Sequence, residues 1–99
     1  MATYIDRVEP LGVPGLARQL TATNTSANTA LSANVYRISM RAVGADIRYQ
    51  VGSGAQTATT TSNFIANGER LDIAVSGAAN IAVLRNGTTN GTLEVTELN

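Results

Sequence analysis

The chain has no cysteine, histidine, lysine or tryptophan, and only two prolines and four aromatic residues among its 99 positions. Without cysteine there are neither disulfides nor thiol chemistry, and the redox compartment is left open. Together these absences remove the commonest general base, the thiolate nucleophile and the Schiff-base amine. They also remove the preferred transition-metal ligands, and no acidic cluster of the D-x-D-x-D-G kind is present to hold calcium. No metal, no cofactor and no enzymatic activity are therefore expected. No apolar run approaches the eighteen residues of a membrane-spanning helix, and residues 1–10, MATYIDRVEP, have neither the basic start nor the apolar stretch of a secretory signal. Export by that route is not indicated, and the Asn-x-Ser/Thr matches at Asn24, Asn86 and Asn90 read as chance. Seven basic residues balance seven acidic ones with no block of one sign, so neither a nucleic-acid backbone nor a membrane surface is expected as partner.

Alternation of apolar and polar side chains is what the chain does have. In residues 34–51, NVYRISMRAVGADIRYQV, the residues Tyr36, Ile38, Met40 and Ala42 share one face. After Val43-Gly44 the alternation resumes with Ile47, Tyr49 and Val51, so the stretch predicts an antiparallel hairpin with those residues inward. Hairpins alone are marginal in water, so the rest of the chain must supply partner strands and a second layer. Residues 16–22 alternate weakly, and a short strand is expected near 27–31. The threonine run at 56–62 has high β propensity without large apolar side chains and reads as an exposed or edge strand, or else as a threonine-rich loop.

Asn67-Gly68, a favoured tight-turn pair, precedes the alternating Leu71, Ile73 and Val75. Residues 80–84 are nearly all apolar, as in the centre of a sheet, and residues 92–98 close the chain with Leu93 and Val95 inward. Short strands at regular spacing, separated by Gly and Asn turns, predict a single all-β domain, a small antiparallel sandwich or barrel over residues 16–99. Its core is expected to hold Tyr36, Ile38, Met40, Ile47, Tyr49, Phe64, Leu71, Ile73, Ile81, Val83, Leu93 and Val95. Residues 1–15, with a short extended segment at 3–8 and then Pro10, Gly12, Pro14 and Gly15, read as an N-terminal arm.

The only acid–base candidates left are carboxylate pairs, Asp72 with Glu94 or Glu94 with Glu97. All three are expected on outward faces beside Arg70 and Arg85, where solvated cross-strand ion pairs are the simpler reading. A sugar platform wants exposed aromatic rings, and with Tyr36 and Tyr49 inward only Tyr4 remains, better suited to a protein contact. All seven cations are arginines, at positions 7, 18, 37, 41, 48, 70 and 85. Arginine's planar fork suits fixed ion pairs and protein interfaces, although a compositional bias would give the same count.

From Val35 onward, the strand VYRISMRAVGADIRYQVGSG, the threonine-rich link, FIANGERLDIAV and NIAVLRNGTTNGTLEVTEL resemble small all-β structural proteins of tailed-bacteriophage virions. The resemblance covers about two-thirds of the chain. It implies a capsid decoration or cement protein that sits on the capsid surface of the virion, is made in the host cytoplasm, and binds the major capsid protein. A head-completion or tail role is the alternative. It brings no catalytic residues. It also implies self-association, a trimer being the form common among decoration proteins. The candidate protein interface is the arm with Tyr4, Ile5, Arg7, Val8 and Leu11, together with the outward arginines Arg37, Arg41 and Arg48.

Overall fold

The computed structural model describes residues 13–98, so the short extended segment at 3–8 and Tyr4, Ile5, Arg7, Val8 and Leu11 lie outside the described residues. Eight strands follow in order: β1 (Pro14–Ala22), β2 (Ala27–Ala30), β3 (Arg37–Val43), β4 (Ile47–Ser53), β5 (Asn63–Ile65), β6 (Arg70–Ala74), β7 (Ala79–Arg85) and β8 (Gly91–Leu98). Among the described residues there is no helix. β1 begins at Pro14, within the residues read from the sequence as the arm.

The strands form two antiparallel four-stranded sheets, in the order β1-β8-β3-β6 in the first and β2-β7-β4-β5 in the second. Four nested pairs, β1 with β8, β2 with β7, β3 with β6 and β4 with β5, are wrapped over one another. This is the connectivity of an eight-stranded jelly roll. Nearly every connection crosses from one sheet to the other, which closes a single core between the two inner faces. Ile38 and Met40 of β3 and Leu93 and Val95 of β8 meet Ile47 and Tyr49 of β4, Ile65 of β5, and Ile81 and Val83 of β7.

The expected hairpin over residues 34–51 is not formed: β3 belongs to the first sheet and β4 to the second. Their apolar faces look at each other across the core instead of lying side by side. Period-two alternation is the same in both arrangements, because each strand has one buried face either way. The corner between them is built for the crossing. Gly44 takes φ 91°, and its N–H donates to Asn67 Oδ1 at 2.9 Å, while the Asn67 N–H donates to Asp46 Oδ1 at 2.8 Å. Gly91 opens β8 against this corner, where a Cβ would sit 3.0 Å from the Ala45 Cβ and 3.1 Å from the Val43 carbonyl oxygen.

Four expected core residues are not fully buried. Tyr36 is 60% exposed, because β3 starts only at Arg37 and Val35 turns inward in its place. The Tyr36 carbonyl accepts the Val75 N–H at 2.8 Å, and its ring lies over Gly77. Phe64 faces outward from β5 and is also largely exposed. Leu71 and Ile73 point inward but are only half-buried, since β6 is an edge strand.

The threonine run is a loop, not a strand, and the strand that follows it is only Asn63–Ile65. The loop lies back over the outer face of the second sheet. The Gln56 N–H donates to Asn28 Oδ1 and the Ala58 N–H to Ser26 Oγ, each at 2.8 Å, with Ser26 preceding β2 and Asn28 within it. Ala58 is buried, and so is Ala82 on the outward side of β7. Small side chains allow this close approach of loop to sheet, and the threonine hydroxyls supply local turn bonds, as where Thr59 Oγ1 accepts the Thr61 N–H.

Candidate protein-interaction surface

The two outer faces of the sandwich are therefore unlike. One is covered by residues 54–62, and among the described residues nothing covers the other, the outer face of β1-β8-β3-β6. Register places Gln19, Glu94, Arg41 and Arg70 in one row across its four strands, with Ala17, Thr96, Ser39 and Asp72 in the next row. Leu98, Arg37 and Ala74 follow. The short and β-branched side chains of these rows keep the face flat, and the arginines rise from it.

The six arginines of the described residues divide by sheet and by task. Arg18 is ion-paired, Arg85 donates to Asn90 Oδ1 at 2.7 Å, and Arg48 is fully engaged. Arg48 donates from Nε to Asn86 Oδ1 at 3.1 Å and from Nη1 to the Ser62 carbonyl at 3.0 Å, and its guanidinium stacks 4.7 Å from the Phe64 ring centroid. It lies on the second sheet, away from Arg37 and Arg41, and holds the end of the 54–62 loop. Arg48→Ala is expected to cost about 1–2 kcal/mol through these lost contacts, read as a lower midpoint in urea unfolding. By contrast Arg37, Arg41 and Arg70 make no hydrogen bond or ion pair among the described residues. All three rise from the bare face. Arg41 faces Glu94 on one side and Arg70 on the other, and like charges directly opposed across strands repel.

Register does not set the carboxylates side by side. Asp72 on the edge strand β6 and Glu94 on the central strand β8 are separated by β3, with Ser39 opposite Asp72 and Arg41 opposite Glu94. Glu97, expected outward, is instead inward and 2% exposed, as its parity with Leu93 and Val95 requires. Its Oε2 accepts Arg18 Nε and Nη2, each at 3.1 Å, and the Ser32 N–H at 3.0 Å. Burial pushes the Glu97 pKa up, but hydrogen bonds from Ser32 and the charge and hydrogen bond of Arg18 outweigh it and leave the group below the usual carboxylate range. Tyr49 is shifted the other way, raised first by burial and then by the negative charge of Glu69, so its hydroxyl stays protonated. Both groups are structural, one a clamp between β1, β8 and the β2–β3 connection, the other part of the core.

Two concavities lined by described residues are small. One of about 140 Å³ lies in the arginine row between Ser39, Arg41, Arg70 and Glu94, and another of about 200 Å³ is lined by Asn24, Thr60, Arg85 and Gly87. Each falls short of the roughly 300–1,000 Å³ of a typical ligand pocket. Among the described residues the exposed aromatics are Tyr36, just before β3 of the first sheet, and Phe64 on β5 of the second, and they form no common platform. Sequence reasoning singled out Arg37 and Arg41 and passed over Arg70, whose place beside Arg41 depends on β6 pairing with β3. No family model, curated protein or solved structure matches this chain.

Proposed function

We propose that this protein is a structural component of a virus particle, a capsid decoration or cement protein that binds the shell made by the major capsid protein of a tailed bacteriophage. The observation that carries the reading is the asymmetry of the sandwich: a sheet face that no described residue covers, bearing Arg37 and Arg41 without a partner among the described residues, opposite a face closed by the chain's own loop. A flat polar face presents forked donors to carboxylates and carbonyls of another protein, which is how protein interfaces use arginine. Jelly rolls also build viral capsid and lectin domains, which supports the reading by fold analogy only. The resemblance of residues 35–99 to small virion proteins supports it as well. In this proposal the arm, with Tyr4, Ile5, Arg7, Val8 and Leu11, adds contacts on the shell or on a neighbouring copy. The copies self-associate, and no nucleic acid, membrane or cofactor takes part.

Co-sedimentation of the purified chain with reconstituted shells tests this. The unaltered chain is expected to pellet with shells, and Arg37→Glu with Arg41→Glu to reduce its occupancy at least tenfold, since charge reversal replaces two attractions by two repulsions. Removal of residues 1–12, which leaves β1–β8 whole, is expected to weaken binding. Unchanged occupancy in both variants would remove the surface from consideration. Recovery of the chain on isolated tails and not on heads would favour a tail or head-completion protein.

A further inference from the structure

Sheet edges are the other place where this fold can bind protein, and the four edges are not equally protected. β1 carries Pro14, a register shift between Pro14 and Ala17, and the inward charge of Arg18, all of which discourage strand addition. β2 has four residues, and the 54–62 loop is bonded to Asn28 within it and to Ser26 just before it. β5 has three residues. β6, Arg-Leu-Asp-Ile-Ala, has no proline, no bulge and no inward charge.

Backbone polarity fixes which groups of β6 are free. The Ala42 N–H donates to the Glu69 carbonyl and the Val75 N–H to the Tyr36 carbonyl, so the odd-numbered residues of this segment bond to β3. By alternation the N–H and C=O of Arg70, Asp72 and Ala74 point to the open side. The exposed side chains of these residues rise on the outer face, and the inward Leu71 and Ile73 are half-uncovered at the same edge. Arg70 is repelled by Arg41 within its own chain and has no acidic partner among the described residues.

We propose that the free edge of β6 binds β6 of a second copy, antiparallel, with Leu71 on a two-fold axis perpendicular to the sheet. In this register Arg70 lies opposite Asp72 of the other copy, and Asp72 opposite its Arg70, as hydrogen-bonded pairs; Leu71 meets its own symmetry mate on the inner face. The contact is isologous, so each favourable pair occurs twice. Slipping the pairing by two residues would set Asp72 against Asp72 of the other copy, a like-charge pair that disfavours that alternative. The axis joins the first sheets of both copies into one eight-stranded sheet and puts both sets of Arg37 and Arg41 on the same side. A two-fold contact does not close a trimer, and it goes beyond the shell-binding reading because it can be measured without shells.

Sedimentation velocity of the full chain over a concentration series is the test. A monomer–dimer equilibrium is expected. Asp72→Arg or Arg70→Asp should each weaken it roughly tenfold or more by exchanging two attractive pairs for two repulsive ones, and the double variant R70D/D72R should restore it, which also shows that the single variants failed by charge and not by misfolding. Asp72→Asn should weaken the dimer. A chain that stays monomeric at hundreds of micromolar, or a dimer indifferent to Asp72→Arg, would overturn the proposal. A dimer tightened by Asp72→Asn would overturn the register, and one lost on Ile5→Asp but not on Asp72→Arg would give the contact to the N-terminal arm.

Discussion

Ile38→Ala is expected to lower the stability of the domain by ~2–5 kcal/mol, while the chemically identical change at Ile73 costs less than half as much. Ile38 is fully buried between the sheets on a central strand, so its truncation leaves a void bounded by Met40, Val95 and the facing strands of the second sheet. Ile73 sits opposite it in register but on the edge strand, where it is half-exposed and where water and neighbouring side chains can fill the space. For a domain of this size, with total stability of ~5–15 kcal/mol, the first substitution consumes a large fraction of the total. Paired urea titrations measure the difference. Equal losses at the two sites would mean that β6 is covered in solution, which is itself the condition the proposed strand pairing would create, so the comparison belongs at low protein concentration.

Arg18→Ala is expected to be nearly as damaging although it removes a polar side chain. It strips the guanidinium from a carboxylate that is almost wholly buried and leaves it only the Ser32 contacts; breaking a buried pair in this way costs ~3–5 kcal/mol, and the 23% exposure of the Arg18 side chain places this case toward the lower end. Glu97→Gln should cost less, because an amide oxygen still accepts from Ser32 and Arg18. The pair also sets an acid limit. A carboxyl whose pKa is lower in the folded than in the unfolded chain contributes stability that is fully present above the unfolded value, about 4.3, and is lost as pH falls through the folded value. Unaltered protein should therefore lose stability below about pH 4, and Arg18→Ala should flatten that slope, since burial, which raises the pKa, is then opposed by Ser32 alone. Equilibrium unfolding between pH 3 and 7 shows either result directly.

The strands were legible in the sequence, and their neighbours were not. Alternation placed Ile38, Met40, Ile47, Tyr49, Ile81, Val83, Leu93 and Val95 on buried faces, and the apolar run of β7 marked a central strand. The same alternation could not tell a hairpin from a corner joining two sheets, because partner choice is written in contacts between distant strands and leaves no local period. Tyr36 was misplaced for a different reason: parity counted back from Ile38 assumes that the strand continues, and β3 ends there. The clamp was the more readable miss. Arg18 alternates with Leu20 and Ala22, and Glu97 with Leu93 and Val95, so two opposite charges already stood on inward faces and implied each other. Of the proposed surface, Arg37 and Arg41 could be read as outward residues, but the row that adds Arg70, and the loop that leaves this face the bare one, exist only after folding.

That loop has one more consequence. A sandwich with two bare faces could stack on itself or accept further protein above and below, and a coat made of it could thicken without limit. Here residues 54–62 roof one side, with the Gln56 and Ala58 N–H groups bonded inward to Asn28 and Ser26, so whatever the molecule lies on, the roofed side is a second, different surface. It has a top and a bottom. If the protein tiles a shell as proposed, the coat is finished after a single course.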